Sequence, residues 1–325
     1  MFAGTGIVGR YFKEKGHQVT ANDLQYYSYV LNKNYIGNHT DLHFTGLAEI
    51  LPEMIPSELP ERKNIVLNYL ENLPGEKGFI YQNYAPSGTK GQEFERMYFT
   101  DENAMKCDAI RTKIESWKDE KKITENEYYF LLATLLENID KVANTASVYG
   151  AFLKNFKKSA LKPLTLTPAD FFLNDHDHEV HNGDVLEIAK MTSHDVVYLD
   201  PPYNERQYSS NYHMLETIAK YDAPKIKGKT GLRDYSKQKS DYCKKTEVKK
   251  SFRELIQTLD AKYIFLSYND EGLMSLDEIR EIMSLRGEYG VFEQKYQRFK
   301  ADKTENRNHT QDSVIEYLHY VKVIR

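Results

Sequence analysis

The sequence predicts an α/β protein, an open and mostly parallel sheet interrupted by a long, mostly helical insertion. Three observations predict it. Residues 196–199, Val-Val-Tyr-Leu, are a short, continuous and partly β-branched apolar run, the pattern of a strand buried in a parallel sheet. At the other end of the chain, Phe2-Ala3-Gly4-Thr5-Gly6 leads into a helix-compatible stretch and then Gln18-Val19-Thr20-Ala21-Asn22-Asp23, which reads as turn, helix and strand. From about residue 166 strand-like and helix-like segments alternate again, so the insertion divides one sheet-based unit.

In chain order, residues 1–34 read as the first βα units of the sheet. Residues 35–164 change character: Pro52, Pro56, Pro60, Pro74 and Gly75 punctuate the first half, and helical periodicity follows over 101–121, 124–141 and 146–158. Residues 165–325 resume the alternation, with a strand expected at 196–199 and a terminal strand over 314–323, where apolar and polar residues alternate.

The chemistry gathers at the ends of the expected strands. Asp200-Pro201-Pro202-Tyr203 stops the strand before it, because proline cannot donate to a ladder and restrains the residue preceding it. A carboxylate, a rigid carbonyl and an aromatic ring are thereby presented at a strand's carboxyl end, where open α/β sheets bind ligands. Gly4 and Gly6 let backbone N–H groups approach a ligand at a helix amino terminus. Asp23 lies about 20 residues beyond them, the spacing at which an acid holds a ribose in Rossmann-like sites; a helix cap is a compatible reading. Asn182-Gly183-Asp184-Val185 puts another acid after a glycine turn, one strand before the Pro-Pro turn.

Composition narrows the class. The 325 residues carry 44 Lys+Arg against 48 Asp+Glu, a net charge of −4, so any anionic partner must be met by local rather than global charge. Two cysteines, Cys107 and Cys243, fit a reducing cytoplasm rather than a disulfide framework. Neither a signal peptide nor a bilayer-length apolar run is evident, so no membrane partner is expected. Tyrosine is abundant, 25 residues against one tryptophan, which suits base stacking and phosphate contacts, though coding bias would give the same excess.

Asp200-Pro201-Pro202-Tyr203 resembles the Asp/Asn/Ser-Pro-Pro-aromatic motif of amino-group methyltransferases. The ordered set — glycine turn, ribose acid, long insertion, second acid, then this tetrapeptide — is similar to the D12 class of adenine-specific DNA methyltransferases, the group containing the Dam methylases. Tyr263-Ile264-Phe265-Leu266-Ser267-Tyr268-Asn269 looks like that class's later core strand, and the segment from Asn204 to His213 like its polar loop after the motif. The resemblance implies a Rossmann-like S-adenosylmethionine-dependent methyltransferase sheet whose helical insertion recognises the target in double-stranded DNA. It implies Phe2, Gly4, Gly6, Asp23, Asp184, Val185 and Asp200 as cofactor-binding, and Asp200, Pro201, Pro202 and Tyr203 as catalytic. Asp200 and the Pro201 carbonyl would accept the N6 hydrogens of a flipped adenine while Tyr203 stacks on it. A cytoplasmic restriction–modification setting follows, with a cognate restriction endonuclease as candidate partner.

Arg96, Lys106 and Arg111 in the insertion are expected to contact DNA, together with Asn204, Arg206 and Tyr208 after the motif; Tyr98, Lys113, Asn144, Tyr149 and Lys154 are further candidates. A lysine-rich stretch over 225–253 adds Lys227, Lys229 and Arg233, in a loop expected to be mobile. Asp175-His176-Asp177-His178 alternates too closely for a closed coordination sphere, and no metal is expected. The same motif also occurs in RNA adenine and protein glutamine methyltransferases. Chains of the class carry a further strand before the glycine turn, so an amino-terminally truncated chain that binds DNA without activity is the other expectation.

Overall fold

In the computed structural model, which describes residues 1–297 and 313–324, the protein is a mixed α/β arrangement of sheets and helices. The chain opens with α1 (Ile7–Glu14), β1 (Thr20–Asn22) and α2 (Tyr26–Asn32). A helical middle follows: α3 (Leu59–Glu71), α4 (Phe79–Tyr84), α5 (Pro86–Thr89), α6 (Asp101–Asp119) and α7 (Glu125–Lys141). Next come β2 (Glu179–His181), α8 (Val185–Met191), β3 (Ser193–Leu199), α9 (Tyr208–Asn211) and α10 (His213–Lys220). The remainder is α11 (Val248–Thr258), β4 (Asp260–Asn269), α12 (Leu276–Ser284), β5 (Gly287–Gln297) and β6 (Ser313–Val323). Each strand expected from the sequence is present, β1 shorter than residues 18–23 and β3 starting three residues earlier.

β1 and β2 pair in parallel from Thr20↔Glu179 to Asn22↔His181. The larger sheet has the order β3-β4-β6-β5, with β3 parallel to β4 and β6 antiparallel to both its neighbours. Among the described residues no ladder joins β1 to β3. Residues 1–3 lie between their carboxyl ends instead: the Met1 ammonium donates to the Tyr198 carbonyl at 2.7 Å, and the Ala3 N–H to the Asn22 carbonyl at 3.0 Å.

Two apolar cores flank this junction. Val197 and Leu199 of β3 and Ile264 and Leu266 of β4 are buried against α8, α11 and α12, through Val185, Phe252, Leu255, Ile256, Ile279 and Ile282. Each such side chain contributes about 1.5–3 kcal/mol of burial. The other core joins the helical middle to α2 and α10, with Val30, Leu31, Ile110, Trp117, Leu132, Leu136 and Ile218 inside it. α2, which follows Asp23, and α10, beyond the Pro-Pro turn, are thus both rooted in the helical core, while Phe2 and Tyr203 pack on the sheet core.

Local signals account for the long helices. Thr100 caps α6 by accepting from the Asn103 N–H at 3.2 Å. Thr124 and Glu127 form a reciprocal capping box at the start of α7, at 3.3 and 2.8 Å. The helix expected over 146–158 does not form; that segment is turns and irregular chain. Long-range bonds replace the helical ladder there: Tyr149 N–H donates to Asn211 O, the Asn144 amide donates to Met97 O and Leu153 O, and Asn144 Oδ1 accepts from Lys157 N–H.

Candidate active site

The glycine turn is shaped by backbone that only glycine adopts easily. Gly4 has φ +53° and Gly6 φ +78°. The Gly4 N–H donates to Asp23 Oδ2 at 2.8 Å, and its carbonyl accepts from Asn32 Nδ2 at 3.0 Å and from the Ser28 hydroxyl. A Cβ on Gly4 would meet nothing within 4 Å, so the backbone there faces open space. Gly6 differs from expectation: it lies buried beneath the turn, its N–H held by Ala3 O at 2.8 Å, and a Cβ would come within 2.6 Å of Asn32 Oδ1. Its contribution is conformational rather than contact.

Asp23 ties that turn to the start of α2, since its other oxygen accepts from the Gln25 N–H at 2.8 Å. Burial raises its pKa, against the opposing effect of these hydrogen bonds. Asp184 caps α8, with Oδ1 accepting from Leu186 and Glu187 N–H at 2.9 and 3.4 Å; Val185 beside it is 7% exposed. Two asparagines lock the acids' loops together. Asn22 exchanges two 3.1 Å hydrogen bonds with the Gly183 backbone, and Asn182 Nδ2 donates to Asp23 O at 2.8 Å.

Asp200 follows the last residue of β3, with Pro201 buried behind it. Its carboxyl opens into a recess where flanking protein still depletes water, and this burial pushes its pKa up to about 6; the Met1 ammonium opposes the shift and Glu316 adds to it. Tyr203 is half-buried, packs against the sheet core, and is fixed at its carbonyl by the Leu273 N–H at 3.1 Å.

These parts share one cavity of about 1690 Å³, lined by Phe2, Gly4, Asp23, Asp184, Val185 and residues 200–203. Side chains that the sequence did not single out line it too: Tyr27 from α2, Tyr212, and Glu137, Asp140 and Lys141 from the end of α7. The rings of Tyr208 and Tyr212 lie 6.1 Å apart, and those of Tyr27 and Tyr212 5.6 Å, giving the cavity an aromatic wall. Tyr212 belongs to the polar loop quoted above, which was its one sequence signal.

The expected DNA contacts divide. Arg206, Lys227 and Lys229 are exposed, and Asn204 and Tyr208 are partly so. Four others are corrected. Arg96 is 5% exposed, with its guanidinium on the carbonyls of Asn83, Gly228 and Lys229. Lys106 donates to Glu71 O at 2.7 Å and to Leu73 O. Arg111 is 2% exposed, bonded to Ile218 O, Ala219 O and Glu115. Arg233 is 6% exposed in a two-pronged pair with Asp222, at 3.1 and 2.7 Å. Arg96 and Arg111 meet carbonyls inside the protein, where removing a partner would cost the desolvation of the other; Lys106 is partly buried, and the Asp222 side chain that Arg233 pairs with is exposed. Tyr98, Asn144 and Tyr149 are buried as well. The lysine-rich stretch is pinned rather than loose: Lys227 and Leu232 bridge backbone to backbone, and Tyr84 OH donates to Gly231 O at 2.7 Å. At 175–178, His178 holds two strands' ends together, accepting from Val19 N–H at 3.1 Å and contacting Asn174 Oδ1 at 2.8 Å.

The family model of D12 class N6 adenine-specific DNA methyltransferases matches residues 1–282. The Type II methyltransferase M.NlaIII of Neisseria lactamica is 54% identical over 99% of this chain and 89% of its own length. M.CviAII of Paramecium bursaria Chlorella virus 1 is 35% identical over 99% of this chain and 89% of its own. M.FokI of Planomicrobium okeanokoites is 40% identical over 99% of this chain, which spans 48% of that longer protein. No solved structure matches.

Proposed function

The chain belongs to the D12 class of N6 adenine-specific DNA methyltransferases, and on that premise we propose how its residues perform the reaction: methyl transfer from S-adenosylmethionine to N6 of an adenine extruded from duplex DNA. One geometric fact carries the assignment. The glycine turn with its acid, and the Asp-Pro-Pro-Tyr turn, open on the same cavity from the carboxyl ends of β1 and β3.

The residues present suit the cofactor. Gly4 leaves open space before its backbone, Asp23 and Asp184 supply acceptors for hydroxyl and amino groups, and Phe2 and Val185 supply apolar surface. S-adenosylmethionine contributes a methyl group made electrophilic by its sulfonium. Adenine N6 is a poor nucleophile, because its lone pair is delocalised into the ring. Asp200 and the Pro201 carbonyl each accept one N6 hydrogen, which favours a pyramidal nitrogen and stabilises the developing positive charge. Tyr203 stacks on the extruded ring, with Tyr208 and Tyr212 extending the aromatic wall. The reaction is positioning of nucleophile against electrophile, with no covalent bond to the protein.

On this reading the strands are the two parts of a Rossmann-like sheet, and residues 35–164 are the target-recognition insertion. Arg206, Lys227 and Lys229 hold phosphates. The relatives' restriction–modification names support a modification enzyme, with a cognate endonuclease as partner and the cytoplasm as its setting. Asp200→Ala tests the assignment. Transfer of labelled methyl to plasmid DNA is expected to fall at least a thousandfold, with cofactor affinity changed by less than about tenfold. Retained transfer would overturn the role of Asp200.

A further inference from the structure

The segment between α10 and α11 crosses the cavity as a strap held by side-chain amides that reach both halves of the site. Gln238 Nε2 donates to Glu216 Oε1 at 2.6 Å and to Leu24 O, next to Asp23, at 3.4 Å. Glu216 is itself 1% exposed, and its second oxygen accepts from the Tyr27 N–H in the first turn of α2 at 2.9 Å. Gln207, four residues past Tyr203, clasps Ser240 twice: it accepts from the Ser240 N–H at 2.8 Å and donates to its carbonyl at 3.0 Å. The Phe2 ring meets Tyr242 edge-on at 4.8 Å. One short strap thus touches the loop of the first acid, the loop of the Pro-Pro turn and the glycine turn. On either side of Gln238 it carries the exposed Lys237 and Lys239.

We propose that Gln238 is a positioning residue that couples DNA binding to cofactor affinity. Phosphates engaged by Lys237 and Lys239 hold the strap down; the strap, through Gln238 and Glu216, holds Leu24 and Tyr27, and so fixes Asp23 just ahead of them. The coupling is reciprocal by linkage: whatever DNA adds to cofactor affinity, the cofactor adds to DNA affinity. This rests on the function proposed above.

The test is the affinity of S-adenosylhomocysteine, which binds without reacting, measured by calorimetry with and without a saturating short duplex. In the wild type, DNA tightens binding about tenfold, the scale of one hydrogen bond to a charged acceptor. In Gln238→Met, which keeps the bulk and loses the donor, the ratio falls to about one, so the loss of affinity is about tenfold larger with DNA than without it. Steady-state turnover of the same variant then shows a raised KM for S-adenosylmethionine at an unchanged kcat. Melting curves with and without the duplex show that the variant is folded at the titration temperature, so the ratio reports binding rather than refolding. A tenfold ratio retained in Gln238→Met, or no ratio in the wild type, overturns the coupling. Failure of the wild type to bind the nucleoside at all overturns the proposed function itself.

Discussion

Arg111 separates two things that look alike in a sequence, a cation that meets a ligand and a cation that closes a core. Its guanidinium ends α10 by taking the carbonyls of Ile218 and Ala219, and its neighbour Glu115 pairs with it at 2.6 Å. Arg111→Ala leaves those acceptors buried without a donor, and a loss of about 3 kcal/mol is expected. Thermal melting is expected to drop by several degrees while DNA affinity of the folded protein holds; weakened DNA binding at unchanged stability would return Arg111 to the interface. Asp200 makes the opposite case, a charge left where folding would not choose it. Its pKa is raised in the folded state to about 6, so its contribution to stability is full below the unfolded value near 4 and is lost as pH rises through 6. Asp200→Asn is therefore expected to match the wild type in stability near pH 4 and to exceed it above pH 6. Equal stability across that range would remove the burial argument.

The glycine turn works as a unit with α2. Gly6 sits at φ +78° over Asn32, and Gly4 is held from both sides by Asp23 and Asn32. Gly6→Ala adds a Cβ in left-handed backbone and presses it onto Asn32, so the turn must shift; a cost of about 1–2 kcal/mol and about a tenfold weaker cofactor affinity are expected. Calorimetry reads the affinity and melting reads the stability, and unchanged values in both would mean the turn tolerates the residue. Elements whose cause is local were legible in the sequence. β3 and β6 follow from continuous or alternating apolar runs, β4 from its likeness to a core strand of the class, and α6 and α7 from their period. The segment 146–158 was not legible, because its backbone is satisfied by Asn211 and by the Asn144 side chain rather than by its own residues. The amide locks were not legible for the same reason: Asn22 finds Gly183 across 161 positions, and Gln207 finds Ser240 across 33.

At the scale of the molecule, the site exists because two cores meet along one seam. The sheet core carries Asp200 and Tyr203 at its edge, while the helical core carries α2, α10 and the end of α7, and the cavity lies between them. Asp23, Asp184, Asp200 and Tyr203, the acids and the ring proposed for the chemistry, could be singled out in the sequence because each stands at the end of a strand or beside a glycine, and they line one cavity. The helical wall contributed by Glu137 and Asp140 was not, because which helix closes on the cavity is decided by packing across the whole chain. In the described residues no helix is long and apolar enough to cross a membrane. The central claim is about one atom, adenine N6. Its most direct test incubates the protein with labelled S-adenosylmethionine and duplex DNA, digests the DNA to nucleosides and identifies the labelled one. The account predicts label in N6-methyldeoxyadenosine alone. Label in another nucleoside, or in RNA or protein offered alongside the DNA, would contradict it.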